Sequence, residues 1–157
     1  MTIVVFSDSH GDADTMRQVI DKFEPETVLY LGDGIHDVHT LEKELPGIRF
    51  EYVKGNCDVI VNEKNEKTIS VDGHKFYITH GDRYQDALQT DVPIETALEC
   101  GASAFLHGHT HVPTLWTCKG ITVMNPGSIR RRHDKGRPSF GLIKTFQSHF
   151  ICKIIFI

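Results

Sequence analysis

The chain has 157 residues, 39% hydrophobic and 24% charged, a size and composition that fit one compact domain and exclude fibrous and disordered classes. Its formal net charge of -4 argues against affinity built on neutralising many nucleic-acid phosphates. No apolar run approaches the roughly 18 residues of a membrane span and the N-terminus carries no basic leader, so a soluble, cytoplasmic protein is expected.

Residues 3–6 form a short β-branched run, and Met16, Val19, Ile20 and Phe23 then recur at helical spacing, which predicts strand, loop and helix. Residues 28–31 repeat the strand signal until Gly32-Asp33-Gly34 breaks it. Val38, Leu41 and Leu45 mark a second amphipathic helix stopped by Pro46-Gly47. A third strand over residues 49–53 ends at Gly55. This β-α-β-α-β opening predicts a parallel sheet, whose ligands gather where loops leave the carboxyl ends of the strands.

The second half changes character. Strands over 67–71 and 75–79 are joined by Asp72-Gly73, a hairpin signal. A helix over 93–100 leads to a strand at 104–106, and further strands are predicted at 121–124, 140–144 and 150–156. Cys57, Cys100, Cys118 and Cys152 stand singly, without a C-x-x-C pair, and read as reduced thiols. The one strongly biased stretch is the basic loop over 130–138.

Five short motifs follow predicted strand ends: Asp8-Ser9-His10, Gly32-Asp33, Gly55-Asn56-Cys57-Asp58, Thr79-His80-Gly81 and Gly108-His109-Thr110-His111. In extended chain, residues two apart point the same way, so Asp8 with His10, and His109 with His111, each offer two side chains to one point. The set Asp8, His10, Asp33, Asn56, His80, His109 and His111 mixes carboxylate, imidazole and amide oxygen, which suits manganese, iron, zinc or nickel better than calcium. Seven donors exceed the needs of one ion but divide between two ions sharing a carboxylate at about 3.5–4 Å separation, with Asp33 the candidate bridge. Asn56 adds no negative charge, so two dications keep positive charge to spare for a phosphate anion.

In this order, D-x-H, GD, GN, a lone His and G-H-x-H resemble the calcineurin-like metallophosphoesterase superfamily. Gly-Asn-Cys-Asp and the later Asn125-Pro126-Gly127-Ser128 resemble its small YfcE-type phosphodiesterase branch. The resemblance implies an α/β fold of two packed mixed β-sheets flanked by helices, a four-layer αββα sandwich formed by a single domain over 1–157. It implies one ion held by Asp8, His10, Asp33 and His111 and another by Asp33, Asn56, His80 and His109, with manganese foremost and nickel, iron, zinc or magnesium as alternatives. Asp33, Asn56 and His80 are the implied catalytic group around a metal-bridging hydroxide that attacks phosphorus in line. The implied substrate is a small or nucleotide-like phosphoester, turned over by a monomer or small homo-oligomer.

Cys57 stands where many members of the family carry a histidine that contacts phosphate or assists the leaving group. A thiol protonates a leaving alkoxide less well, so a preference for esters with good leaving groups is expected. Asn56, Cys57 and Arg130 are candidate substrate contacts, and Arg130-Arg131-Arg132 a candidate anion clamp. Asp58 reads equally as a turn former or as an acceptor that orients a ligand. His36, His39, His74, His107, His133 and His149 match no ligand position of the family and are expected in packing or surface roles. Two competing functions are a non-enzymatic scaffold, as in the retromer subunit on the same fold with an impaired metal site, and a nuclease, which only the arginine loop supports.

Overall fold

The computed structural model describes residues 1–130 and 136–157. Arg131, Arg132 and His133 of the basic loop lie outside the described residues. The chain opens with β1 (Thr2–Phe6), α1 (Ala13–Phe23), β2 (Thr27–Tyr30), α2 (Ile35–Glu44) and β3 (Arg49–Tyr52). It continues through β4 (Glu66–Val71), β5 (His74–Thr79), α3 (Val92–Glu99), β6 (Ala104–Leu106), β7 (Thr114–Cys118), β8 (Ile121–Asn125), β9 (Ser139–Thr145) and β10 (Phe150–Phe156).

Two five-stranded mixed sheets result, ordered β10-β9-β1-β2-β3 and β4-β5-β6-β8-β7. The predicted parallel run β1, β2, β3 is present, and β4 with β5 forms the predicted antiparallel hairpin. The alternation along β1 explains the layering. Ile3 and Val5 point between the sheets, where they meet Leu29, Phe76, Leu106 and Met124. Val4 and Phe6 point outward to Met16, Ile20 and Val38 on α1 and α2. On the far side, Ile94 and Ala97 of α3 cover Phe105 and Val123. Burying each large apolar side chain of this kind stabilises by roughly 1.5–3 kcal/mol. The order of layers is therefore helix, sheet, sheet, helix, as the fold class anticipated.

Local signals fix the helix ends. Asp12 caps α1 by accepting from Thr15 N at 3.1 Å, and Glu24 closes it in a left-handed turn before Pro25. Neither Asp8 nor Asp33 caps the helix that follows it, since α1 starts from Asp12 and α2 from Gly34. Strand β7 and a 3₁₀ turn over Gln85–Gln89 were not foreseen. No helix among the described residues is long and apolar enough to cross a membrane.

Both sheets send the carboxyl ends of parallel strands to one side. The loops after β1 and β2 touch through Asp8 N to Gly32 O at 3.0 Å, and those after β5 and β6 through Gly108 N to His80 O at 2.9 Å. His80 Nδ1 bonds Leu31 O at 2.8 Å and joins the sheets.

Candidate metal centre

All seven side chains of the predicted donor set converge at this junction. Around His80 Nε2 lie Asn56 Oδ1 at 3.1 Å, His109 Nδ1 at 3.3 Å and Asp33 Oδ2 at 3.4 Å. Metal–ligand bonds of about 2.1 Å at tetrahedral or octahedral angles give donor–donor edges of about 3.0–3.4 Å. The spacing fits the edges of a coordination shell as well as it fits hydrogen bonds within the cluster. Beside it, Asp8 Oδ1 lies 3.1 Å from His111 Nε2 and 4.0 Å from His10 Nε2. Asp33 Oδ2 is also 4.0 Å from His10 Nε2. Donor atoms within 4.8 Å of one another form three overlapping groups: Asp8 with His10 and His111, Asp8 with Asp33 and His80, and His10 with Asp33 and Cys57.

The electrostatics of this cluster call for a cation. Asp8 is fully buried, and its Oδ1 makes no hydrogen bond. A buried carboxylate oxygen in that state is costly unless a positive charge faces it. Burial pushes the Asp33 carboxyl up, but the hydrogen bond and charge of His80 and the N–H of Cys57 outweigh it and hold Asp33 well below the usual carboxylate range. Burial likewise opposes charge on His80, and the facing Asp33 and Asp8 overcome it and raise that imidazole. The residues present fit divalent ions: oxygen and imidazole donors, two carboxylates, one amide, and interatomic edges of the right length around His80 and between Asp8 and His111.

The backbone is strained where the donors sit. Asp8, His10, Asp33, His109 and His111 all have positive φ, between 44° and 66°. Non-glycine residues in that region are uncommon and cost about 1–3 kcal/mol when strongly disfavoured, so such clustering points to a geometric demand. Glycines permit the close approach. A Cβ on Gly55 would collide with Asp33 Oδ1, and one on Gly108 with Ser7 Oγ.

Supporting contacts come from residues that sequence reading left open or missed. Asp58 accepts from the N–H groups of Asp33 and Gly55 at 2.8 Å and of Gly34 and Ile35 at 3.0 Å. Asn125 Nδ2 donates to Gly108 O and Thr110 Oγ1, each at 2.9 Å, and Ser128 Oγ donates to Asp8 O at 2.8 Å. The Asn125-Pro126-Gly127-Ser128 turn therefore braces the donor loops. Tyr30 and Asp37 were missed; both bond Ser9 Oγ and pin the loop between Asp8 and His10. Only their placement by β2 and α2 reveals this, because Tyr30 reads as strand core and Asp37 as an acidic first-turn residue.

Cys57 is exposed at the mouth, with its N–H on Asp33 Oδ1 at 2.8 Å. The hydrogen bond to Asp33, then partial burial, push its thiol up to about 11. Arg130 lies outside the donor cluster, in a cleft of about 410 Å³ beyond His111. A second cleft of about 740 Å³ opens on the other side, against His107 and Trp116. His107 is buried, and burial lowers its imidazole to about 4.

Such a donor set on a sandwich of two mixed sheets marks a metallohydrolase type of domain. Residues 1–148 match the calcineurin-like phosphoesterase superfamily domain, and the chain belongs to that superfamily. It is 28% identical over 144 residues to a Bacillus subtilis protein named probable metallophosphoesterase YsnB, covering 91% of this chain and 83% of that protein. A conserved uncharacterised Streptococcus pneumoniae protein described as a predicted phosphoesterase superposes with TM-score 0.80 at 27% identity, over 99% of this chain and 88% of the other. Vps29 of Entamoeba histolytica, solved with zinc, shares the fold at TM-score 0.73 and 20% identity, over 99% of each chain.

Proposed function

We propose that this phosphoesterase-family chain is a dinuclear phosphodiesterase acting on a small or nucleotide-like phosphate ester, in the cytoplasm, as a monomer or small homo-oligomer. Asp8, His10, Asp33 and His111 hold one divalent ion, and Asp33, Asn56, His80 and His109 the other, manganese being the preferred metal. One observation carries the reading: Asp33 Oδ2 lies 3.4 Å from His80 Nε2 and 4.0 Å from His10 Nε2, so a single carboxylate oxygen faces both halves of the donor set.

When bound, the ions supply Lewis acidity that lowers the pKa of water and neutralises charge on the phosphoryl oxygens. The chain supplies position. His80 is oriented by its Nδ1 contact with Leu31 O, which aims Nε2 at Asp33 and Asn56. Asn56 contributes an amide oxygen without negative charge, so the centre stays attractive to a phosphate anion. Asn56 and Cys57 border the mouth and contact the incoming ester. A thiol is a poorer proton donor to a leaving alkoxide than an imidazolium, so the leaving group departs with little assistance.

The likeness to Vps29 shows the fold alone and leaves a scaffold as the second reading; the complete donor set of this chain favours the enzyme. A panel of phosphoesters assayed on metal-free chain reconstituted with manganese, iron, zinc, nickel or magnesium tests the proposal. Hydrolysis of an aryl phosphodiester, fastest with manganese, is the expected result. No turnover of any ester with any ion would leave the scaffold.

A further inference from the structure

We propose that Arg130 and Arg137 form an anion subsite beside the metal centre that takes a second phosphate group of the substrate. The proposal rests on the phosphoesterase reading above and narrows its substrate class.

The two arginines leave a common base. Ser128 Oγ donates to Asp8 O at 2.8 Å and accepts from Arg130 N at 3.2 Å, while Ile129 N bonds Ser7 O at 3.1 Å. Ile129 is fully buried, so Arg130 departs from an anchored stem adjoining a donor loop. The returning chain pairs with the same stem. Ser139 N bonds Ser128 O at 3.0 Å, and Ser139 Oγ bonds Pro126 O at 2.6 Å. Ile157 N bonds Pro138 O at 2.9 Å. This pairing brings Arg137, two residues before Ser139, into the cleft that Arg130 enters. The Arg137 guanidinium lies 6.0 Å above the Phe156 ring, which gives the planar cation a platform.

The cleft of about 410 Å³ is bordered by His111 and Ser128 on the metal side and by Arg130, Arg137 and Phe156 further out. Among the described residues, none that lines it is a carboxylate. Arg17 and Arg49 are each paired with an acid, whereas neither Arg130 nor Arg137 forms an ion pair among the described residues. Arg130 and Arg137 both line this cleft. Their planar forks match phosphate oxygens two at a time. An ester whose reacting phosphorus sits at the centre, and whose substituent passes His111, carries its second phosphate into this space. A simple diester leaves the cleft empty.

Calorimetry of the full chain in chelator, titrated with inorganic pyrophosphate, tests the subsite without the metals. The Arg130→Ala, Arg137→Ala double variant is expected to bind at least ~10-fold more weakly, and the corresponding double lysine variant to recover part of the loss. Binding by the double alanine variant within about twofold of the parent overturns the proposal. A second arm loads the chain with manganese and compares a thymidine para-nitrophenyl phosphodiester with and without an extra phosphate on its sugar. The parent should favour the doubly phosphorylated ester by ~10-fold or more in kcat/KM, and the double alanine variant should erase that ratio. Equal ratios in parent and variant overturn the subsite while leaving the phosphoesterase reading intact. Turnover of neither ester, with pyrophosphate binding still dependent on both arginines, overturns that reading and sustains the anion site.

Discussion

The carboxylate of Asp58 accepts the backbone N–H of Asp33 at 2.8 Å, and the same oxygen takes Gly55 N at 2.8 Å. Its other oxygen takes Gly34 N and Ile35 N at 3.0 Å, at the start of α2. One side chain thus ties two donor loops together and places negative charge at a helix N-terminus, where it is favourable.

Asp58→Ala leaves four N–H groups short of an acceptor. Melting should fall by the equivalent of about 2–3 kcal/mol, and manganese affinity by ~10–100-fold, because the loops carrying Asp33 and Asn56 loosen together. Thermal melts and equilibrium dialysis check both. Unchanged affinity would reduce Asp58 to a turn former.

Cys57 predicts a leaving-group dependence. With an unassisted departure, log kcat/KM for aryl and alkyl phosphodiesters falls steeply as leaving-group pKa rises, the general-acid gain of ~10²–10⁴ being largely absent. A flat plot across both ester classes would show that another group donates the proton.

Gly108 predicts a packing effect. Gly108→Ala forces a Cβ against Ser7 Oγ and Asp8 Oδ2, and overpacking of this kind costs about 1–3 kcal/mol. Chemical denaturation measures the loss. The same change at Gly47, which has no left-handed backbone and whose Cβ would meet nothing nearby, serves as the uncrowded reference.

Cys152 predicts a pH effect away from the centre. Partial burial against the core pushes its thiol up to about 12, so the fold retains this proton while an unfolded thiol, near 8.5–9, loses it. The contribution to stability is complete below about pH 9 and declines as pH rises from there towards 12, by up to ~1.4 kcal/mol per unit. Peptide mapping after brief iodoacetamide treatment at about pH 9 should find Cys152 labelled more slowly in the native chain than in urea. Equal labelling would contradict the burial.

Much of this architecture is written in local pattern. The β-branched runs of β1 and β2 and the helical spacing of Met16, Val19, Ile20 and Phe23 agree with their tertiary burial, so propensity and packing point the same way. The donors were legible because D-x-H, GD, GN and G-H-x-H follow strand ends. Strand β7 was not, since its residues alternate irregularly between exposed and half-buried and it is held by pairing with β8. Asp58 stayed ambiguous because aspartate after Gly-Asn-Cys is also a good turn residue; its four bonds exist only once α2 and the loop after β3 meet. The left-handed backbone at Asp8, His10, Asp33, His109 and His111 leaves no sequence trace, because glycine does not occupy those positions.

Metal stoichiometry of the full chain tests the shared Asp33 most directly. Equilibrium dialysis against manganese should give two ions per parent chain, a loss of tight binding of both in Asp33→Asn, and a weakening mainly of one in His111→Ala. Two tightly held ions in Asp33→Asn, or none in the parent, would contradict the dinuclear centre.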